Sequence, residues 1–240
     1  MKVLLLYLHL LLTIKKQVLP NISIQVNVNT HLKDPNSSEL GQNIVDASIQ
    51  MMDELGYEHF NFKKLSKQIG SSEASIYRYF ESKNKLLLYL TGWYWGWMEY
   101  KLSLKLANIE NPEERLTRAI NLLTEVAAED STFAHVSEVK LQRIVIAESP
   151  KAYLNKNVDN ENKLGVFSDY KRLVSLVSDI ILEIDPNYRC PHMLVSTILE
   201  GSHLQRHFSE HLPRLTDVDK KEDLITPFYL ELAKKALNLK

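Results

Sequence analysis

From residue 38 to the end of the chain, apolar residues recur every three or four positions, and the interruptions are helix punctuation. That period gathers the apolar side chains of each segment on one side of a helix, so they are buried only if helices pack on one another. Leu40, Ile44, Val45, Ile49, Met52 and Leu55 form the first stripe, with Ser38 as cap and Gly56 suited to the left-handed position past its end. Short helices are expected over 62–69, capped by Asn61 and closed by Gly70, and over 73–80, before Ser82 caps a fourth. Asn111-Pro112-Glu113-Glu114 starts a helix reaching about residue 129. Others are expected over 136–148, 161–185, 191–212 and 220–239, with Pro150, Pro186 and Pro213 just beyond their ends. Pro227 either kinks the last helix or marks its start, with Thr226 as cap. Seven Gly and eight Pro in 240 residues are too few for a turn-dense all-β chain. The expected fold class is all-α: a three-helix unit over 38–90, a larger helical bundle over 91–240, and an N-terminal extension over 1–37.

The extension does not share the helical period. Lys2 and the apolar run 3–12 resemble the start of a secretory signal, but Thr13, Ile14, Lys15 and Lys16 offer no small-residue cleavage site. The run has half the roughly 20 residues a bilayer requires, so no stable membrane span is expected. Residues 22–28 alternate Ile22, Ile24, Val26 and Val28 with Ser23, Gln25 and Asn27, which is the strand period. With no second strand in view, this segment either pairs across a dimer or is an extended arm. A single cysteine, Cys190, rules out an internal disulfide framework and a thiolate-rich zinc site, and fits the reducing cytoplasm. At the head of an expected helix its thiol pKa can be lowered, but a merely structural cysteine is the favoured reading.

Two short helices joined by a tight link are the helix-turn-helix arrangement. Phe62, Leu65 and Ile69 brace the first, Gly70 lets the chain reverse, and Ile76 and Phe80 anchor the second. Glu73, Ser75, Tyr77, Arg78 and Tyr79 are left for the outer face of a helix short enough to enter a major groove about 12 Å wide. A plain pair of core helices would share this periodicity. Over the wider stretch 56–90 the sequence resembles the DNA-binding domain of the TetR family of transcriptional regulators. The resemblance is carried by Gly56, Asn61, Gly70-Ser71-Ser72, Ile76-Tyr77-Arg78-Tyr79-Phe80 and Ser82-Lys83, and the segment 39–55 fits the family's first helix. Ser71 stands where the family commonly has Val, and Ala74 where it has Gly or Pro.

The resemblance implies a set of DNA contacts: Asn61, Lys63, Ser72, Glu73, Ala74, Ser75, Tyr77, Arg78, Tyr79 and Lys83. Tyr77 and Tyr79 would meet phosphate or base, Lys83 would clamp phosphate, and Lys63 would reach the flanking backbone. Glu73 and Ser75 would read bases, with Ala74 against a thymine methyl. Charge supports the reading independently. Between residues 62 and 90 six cations face two anions, a net +4, so the rest of a chain of net −1 carries −5. A local basic patch on an otherwise acidic protein is an electrostatic footprint for double-stranded DNA.

The region 92–100 holds all three tryptophans, Trp93, Trp95 and Trp97. Trp93, Trp97 and Tyr100 share a stripe that either packs a domain junction or walls a pocket for an unknown small-molecule effector. His203, His207 and His211 recur at four-residue spacing without an acidic partner pattern, so no metal is expected. Neither a metal nor another cofactor is expected. The resemblance further implies a homodimer through 191–212 and 220–239, a palindromic operator and a ligand-responsive repressor rather than an enzyme. Two rivals stay open: an interaction module of this fold without DNA binding, and a metal-dependent helical enzyme built on the three histidines.

Overall fold

The computed structural model describes residues 23–129, 133, 136–218 and 222–239. The apolar run 3–12 and Ile22 lie outside them. Among the described residues the fold is all-α, without strands. The helices are α1 Glu39–His59, α2 Phe62–Gln68, α3 Glu73–Tyr77, α4 Lys83–Leu106, α5 Pro112–Thr124, α6 Glu138–Tyr153, α7 Val158–Lys163, α8 Ser168–Ile184, α9 Pro191–His211 and α10 Ile225–Ala236. No helix among the described residues is long and apolar enough to cross a membrane.

The first four helices start the same way. The side chains of Ser38, Asn61, Ser72 and Ser82 accept from the backbone N–H of Gly41, Lys64, Ser75 and Lys85, each three residues on. Each such bond satisfies a donor that the helix itself leaves orphaned. Gly56, at φ +74°, breaks α1 into a long helix and a terminal turn. Several expected limits shift. The helix expected over 73–80 ends at Tyr77, and α5 ends at Thr124. Pro150 lies within the last turn of α6 instead of beyond it, where it removes one backbone hydrogen bond shortly before the helix ends. Gly165, at φ +76°, splits the expected 161–185 helix into α7 and α8. Thr226 lies inside α10 and accepts a hydrogen bond from Thr124 Oγ1 at 2.8 Å, so Leu224 takes the cap position.

The centre of the molecule is α4. Leu86 to Leu90, Trp93, Tyr94, Trp95, Trp97, Met98 and Leu102 are all buried, and α5, α6 and α8 pack around them. This helix runs uninterrupted through residue 90. The segment 22–28 is not the expected strand: its described part lies irregularly along α4. Its alternation still serves a purpose, because Ile24 and Val26 seat against Gly96 and Gly92. A Cβ at Gly96 would stand 2.7 Å from Ile24 Cγ2, and one at Gly92 would stand 3.1 Å from Val26 Cγ1. Asn27 and Asn29 then donate to the Leu164 carbonyl at 3.1 and 3.0 Å, and Leu32 N–H donates to the Tyr79 carbonyl at 2.7 Å. Residues 23–38 thus form a strap from the bundle to the end of α3.

Inside the bundle, Trp95 stacks on Tyr170 at 4.5 Å and on the His203 ring at 5.9 Å. Tyr153 and Tyr170 both donate to the Glu200 carboxylate, at 2.9 and 2.6 Å. Burial lowers the His203 pKa from 6.5 to about 4, and the neighbouring Arg206 charge adds to the effect. The imidazole is therefore neutral in the folded chain where the unfolded chain already takes up a proton. Between pH 6.5 and 4 the unfolded state binds more protons, so stability falls as pH drops through that window, by roughly 3 kcal/mol in all from this group.

Two predictions follow from the packing. Gly96→Val should displace Ile24, cost about 1–3 kcal/mol in urea denaturation and expose residues 23–33 to limited proteolysis. An arm as protected as in the unchanged protein contradicts the seating described above. His203→Gln should flatten the acid limb of the stability–pH curve between pH 6.5 and 4, measured by denaturant midpoints. An unaltered slope would show that His203 does not carry it.

Candidate nucleic-acid interface

The α2–α3 pair is held from beneath. Leu65, Ile76 and Phe80 are completely buried and Phe62 nearly so. Gly70, at φ +63°, supplies the left-handed turn residue between the helices, and Ser71 N–H returns to the Ser66 carbonyl at 2.9 Å. This scaffold leaves Asn61, Lys63, Ser72, Glu73, Ala74, Tyr77 and Arg78 exposed, with Ser75 half-buried. Tyr77 is 49% exposed and rests edge-on against Phe62 at 5.0 Å, which fixes its ring while its far edge faces outward. Asn61 and Ser72 have a second task as helix caps, and Ser75 Oγ lies 2.9 Å from Ser72 Oγ.

Two of the sequence-selected residues stand elsewhere. Tyr79 is only 4% exposed, turned away from the outer face on which the sequence pattern put it. Its hydroxyl meets Ser38 Oγ at 2.7 Å and accepts from Lys33 Nζ at 3.1 Å. Lys83 directs its ammonium back into the protein, donating to the Tyr57 carbonyl at 3.1 Å over the Tyr57 ring. What Lys83 leaves for an anion is its backbone N–H at the first turn of α4. The local charge is also redistributed: Lys85 pairs with Glu161 at 3.1 Å, while Lys63, Lys67 and Arg78 remain exposed. Lys33 and Ser38 did not figure among the sequence candidates. Their signal was invisible locally, because each meets Tyr79 across more than 40 residues.

The α2–α3 pair is clasped to the bundle through α1 and α6. Glu148 Oε1 accepts from Tyr57 N–H at 3.0 Å, and Arg143 forks onto Asp53 at 2.7 and 2.5 Å. Lys140 bonds Gln50 on the same seam. A cleft of about 460 Å³ opens between α1, α6 and the end of α9, lined by Met52, Arg143, Glu148, Arg206, His207 and His211 among others.

The aromatic residues selected as a pocket wall pack against protein. Trp93 and Tyr100 both meet Phe133 edge-on, at 5.3 and 6.1 Å, and Lys101 covers the Trp97 ring at 4.5 Å. The crevice beside Trp97, Leu122 and Gln142 has no room for a water molecule. The histidines diverge: the rings of His207 and His211 lie 4.6 Å apart, whereas His203 stacks on Trp95. Among the described residues no three His, Cys, Asp or Glu side chains are grouped to hold a metal ion. Cys190 is exposed at the head of α9.

Residues 44–90 match the profile of bacterial regulatory proteins, tetR family. Over 118 residues, 47% of this chain, the sequence is 28% identical to the fatty acid metabolism regulator protein of Bacillus subtilis (strain 168), and the match spans 61% of that relative's length. The fold is shared with the fatty acid degradation regulator FadR of Bacillus halodurans, at a TM-score of 0.52 and 17% identity over 81% of this chain and 93% of that one. It is also shared with AibR, solved in complex with isovaleryl coenzyme A and operator DNA, at a TM-score of 0.53 and 14% identity over 81% and 97%. Residues 44–90 are thus similar to the DNA-binding segment of bacterial regulatory proteins of the tetR family.

Proposed function

We propose that this protein is a cytoplasmic, dimeric transcriptional repressor that reads a palindromic DNA operator with α2–α3 and responds to a small-molecule effector. The observation that carries the reading is the outward set Ser72, Glu73, Ala74, Tyr77 and Arg78 on a helix braced by Leu65, Ile76 and Phe80. Glu73, Ala74 and Ser75 face base edges in this reading, while Tyr77, Arg78, Lys63 and the Lys83 N–H meet phosphates. Residues 38–90 serve as the reader and 91–240 as the regulatory and dimerisation unit, with no catalytic step.

One α3 reads few base pairs, so specificity calls for two copies related by a two-fold axis. Met193, Leu204 and Phe228 support a dimer through α9 and α10: they are 68%, 51% and 57% exposed, far more than a solvated surface requires of large apolar groups. Ile198, on the same helix as Met193 and Leu204, is buried within the protomer instead. Acyl-coenzyme A is the effector class to test first, because AibR is described with isovaleryl coenzyme A and the Bacillus relative is named for fatty acid metabolism. Such a ligand must bind the DNA-competent and DNA-incompetent states with different affinity.

Selection from a random duplex pool should yield an inverted repeat with half-site centres about 34 Å apart, or a multiple of that spacing. Tyr77→Ala combined with Arg78→Ala should then lower operator affinity at least about tenfold with an unchanged melting temperature. Absence of any salt-sensitive, sequence-preferring complex would overturn the reading in favour of an interaction module. Phe228→Glu should shift the protein to monomer in analytical ultracentrifugation and weaken operator binding with it. A variant that sediments as the unchanged protein does would remove Phe228 from the interface.

A further inference from the structure

The strap brings a cation to the end of α3 that α2 and α3 do not themselves contain. Lys33 is exposed, and its ammonium donates to the Tyr79 hydroxyl at 3.1 Å while lying 4.9 Å from the ring centroid. Its partner is thus a neutral hydroxyl instead of a carboxylate. The adjacent Asp34 turns one oxygen to Asn36 N–H, at 2.9 Å, to close the next turn. The position of Lys33 is fixed from both sides: Leu32 N–H is bonded to the Tyr79 carbonyl at 2.7 Å, and Ser38, the cap of α1, holds the same hydroxyl at 2.7 Å. Arg78, exposed and next in sequence to Tyr79, supplies a second cation beside it. The Tyr79 hydroxyl is held below the ordinary tyrosine range, first by Ser38, then by the Lys33 hydrogen bond, with the charges of Lys33 and Arg78 both contributing. The Arg78 charge is felt at the Tyr79 hydroxyl that Lys33 touches, so an anion that reaches both cations would gain two charge-assisted hydrogen bonds.

We propose that Lys33 is a DNA backbone contact, presented by the strap on the Tyr79 hydroxyl and acting with Arg78 on one phosphate. The inference rests on the reading of α2–α3 as a DNA reader and adds to it a residue from outside the helix-turn-helix. It also gives Tyr79 a role: turned inward, it positions Lys33 at the place where the family pattern puts an outward side chain.

Salt dependence tests this directly, because each neutralised phosphate adds to the slope of log affinity against log salt. Full-length protein would be titrated onto a fluorescent random-sequence duplex by anisotropy over a KCl series. Lys33→Ala should reduce the slope by about 1 and lower affinity about tenfold at low salt, whereas Lys33→Arg should keep the slope. Lys33→Gln, which can still donate to Tyr79 without a charge, must lose the same slope, so that a loosened strap in the alanine variant cannot account for the result. Lys171→Ala, on α8 and outside α2–α3 and the strap, should leave the slope unchanged. A wild-type slope retained by Lys33→Ala and Lys33→Gln overturns this inference and leaves α2–α3 as the reader. A wild-type protein that binds no duplex even at low salt overturns the DNA-binding reading itself, and this inference with it.

Discussion

A 24-residue helix with apolar side chains on every side cannot rest on a surface; it has to be wrapped. This constraint on α4 organises the molecule. Three helices, α5, α6 and α8, cover most of it, and the strap covers the line marked by Gly92 and Gly96, where only a bare backbone lets Ile24 and Val26 approach. Because α4 starts at the Ser82 cap, two residues after the buried Phe80, wrapping it also fixes how α2–α3 is oriented on the bundle.

Two further ties hold the α1–α3 unit, on different sides. Asp53 and Tyr57 of α1 are gripped by Arg143 and Glu148 of α6, and the end of α3 is gripped by the strap, which is itself anchored at the Leu164 carbonyl. Under the proposed function these ties carry the coupling. A ligand that moves α6 relative to α4 moves α1 through charge-assisted hydrogen bonds, of which the buried one from Tyr57 N–H to Glu148 is the costlier to break. The strap adds a tie from the α7–α8 turn to Tyr79 that does not pass through α1.

Local interactions were legible in the sequence. Ser38, Asn61 and Ser82 cap their helices through bonds spanning three residues, and Gly56 and Gly70 take the left-handed conformation at the helix ends where a glycine was expected. The pattern of Leu65, Ile76 and Phe80 located the braced face, and with it the exposure of Glu73, Tyr77 and Arg78. Long-range partners were not legible. The inward turn of Tyr79 depends on Lys33, 46 residues earlier, and the loss of Lys85 from the basic patch depends on Glu161, 76 residues later. The alternation of Ile24 and Val26 read as a strand because period two fits any extended chain lying on an apolar surface, a helix included. Among the aromatics, Trp95 falls off the stripe of Trp93 and Trp97, yet it stacks on Tyr170 and His203 because α4 is buried on that side as well.

Amide hydrogen exchange of the full chain, with and without duplex DNA at low salt, addresses the central claim that strap and α2–α3 form one reading surface. The account predicts slowed exchange on binding over residues 32–38 and 71–83, with α8 unaffected. DNA-dependent protection confined to other segments, with 71–83 exchanging as in the free protein, would contradict it.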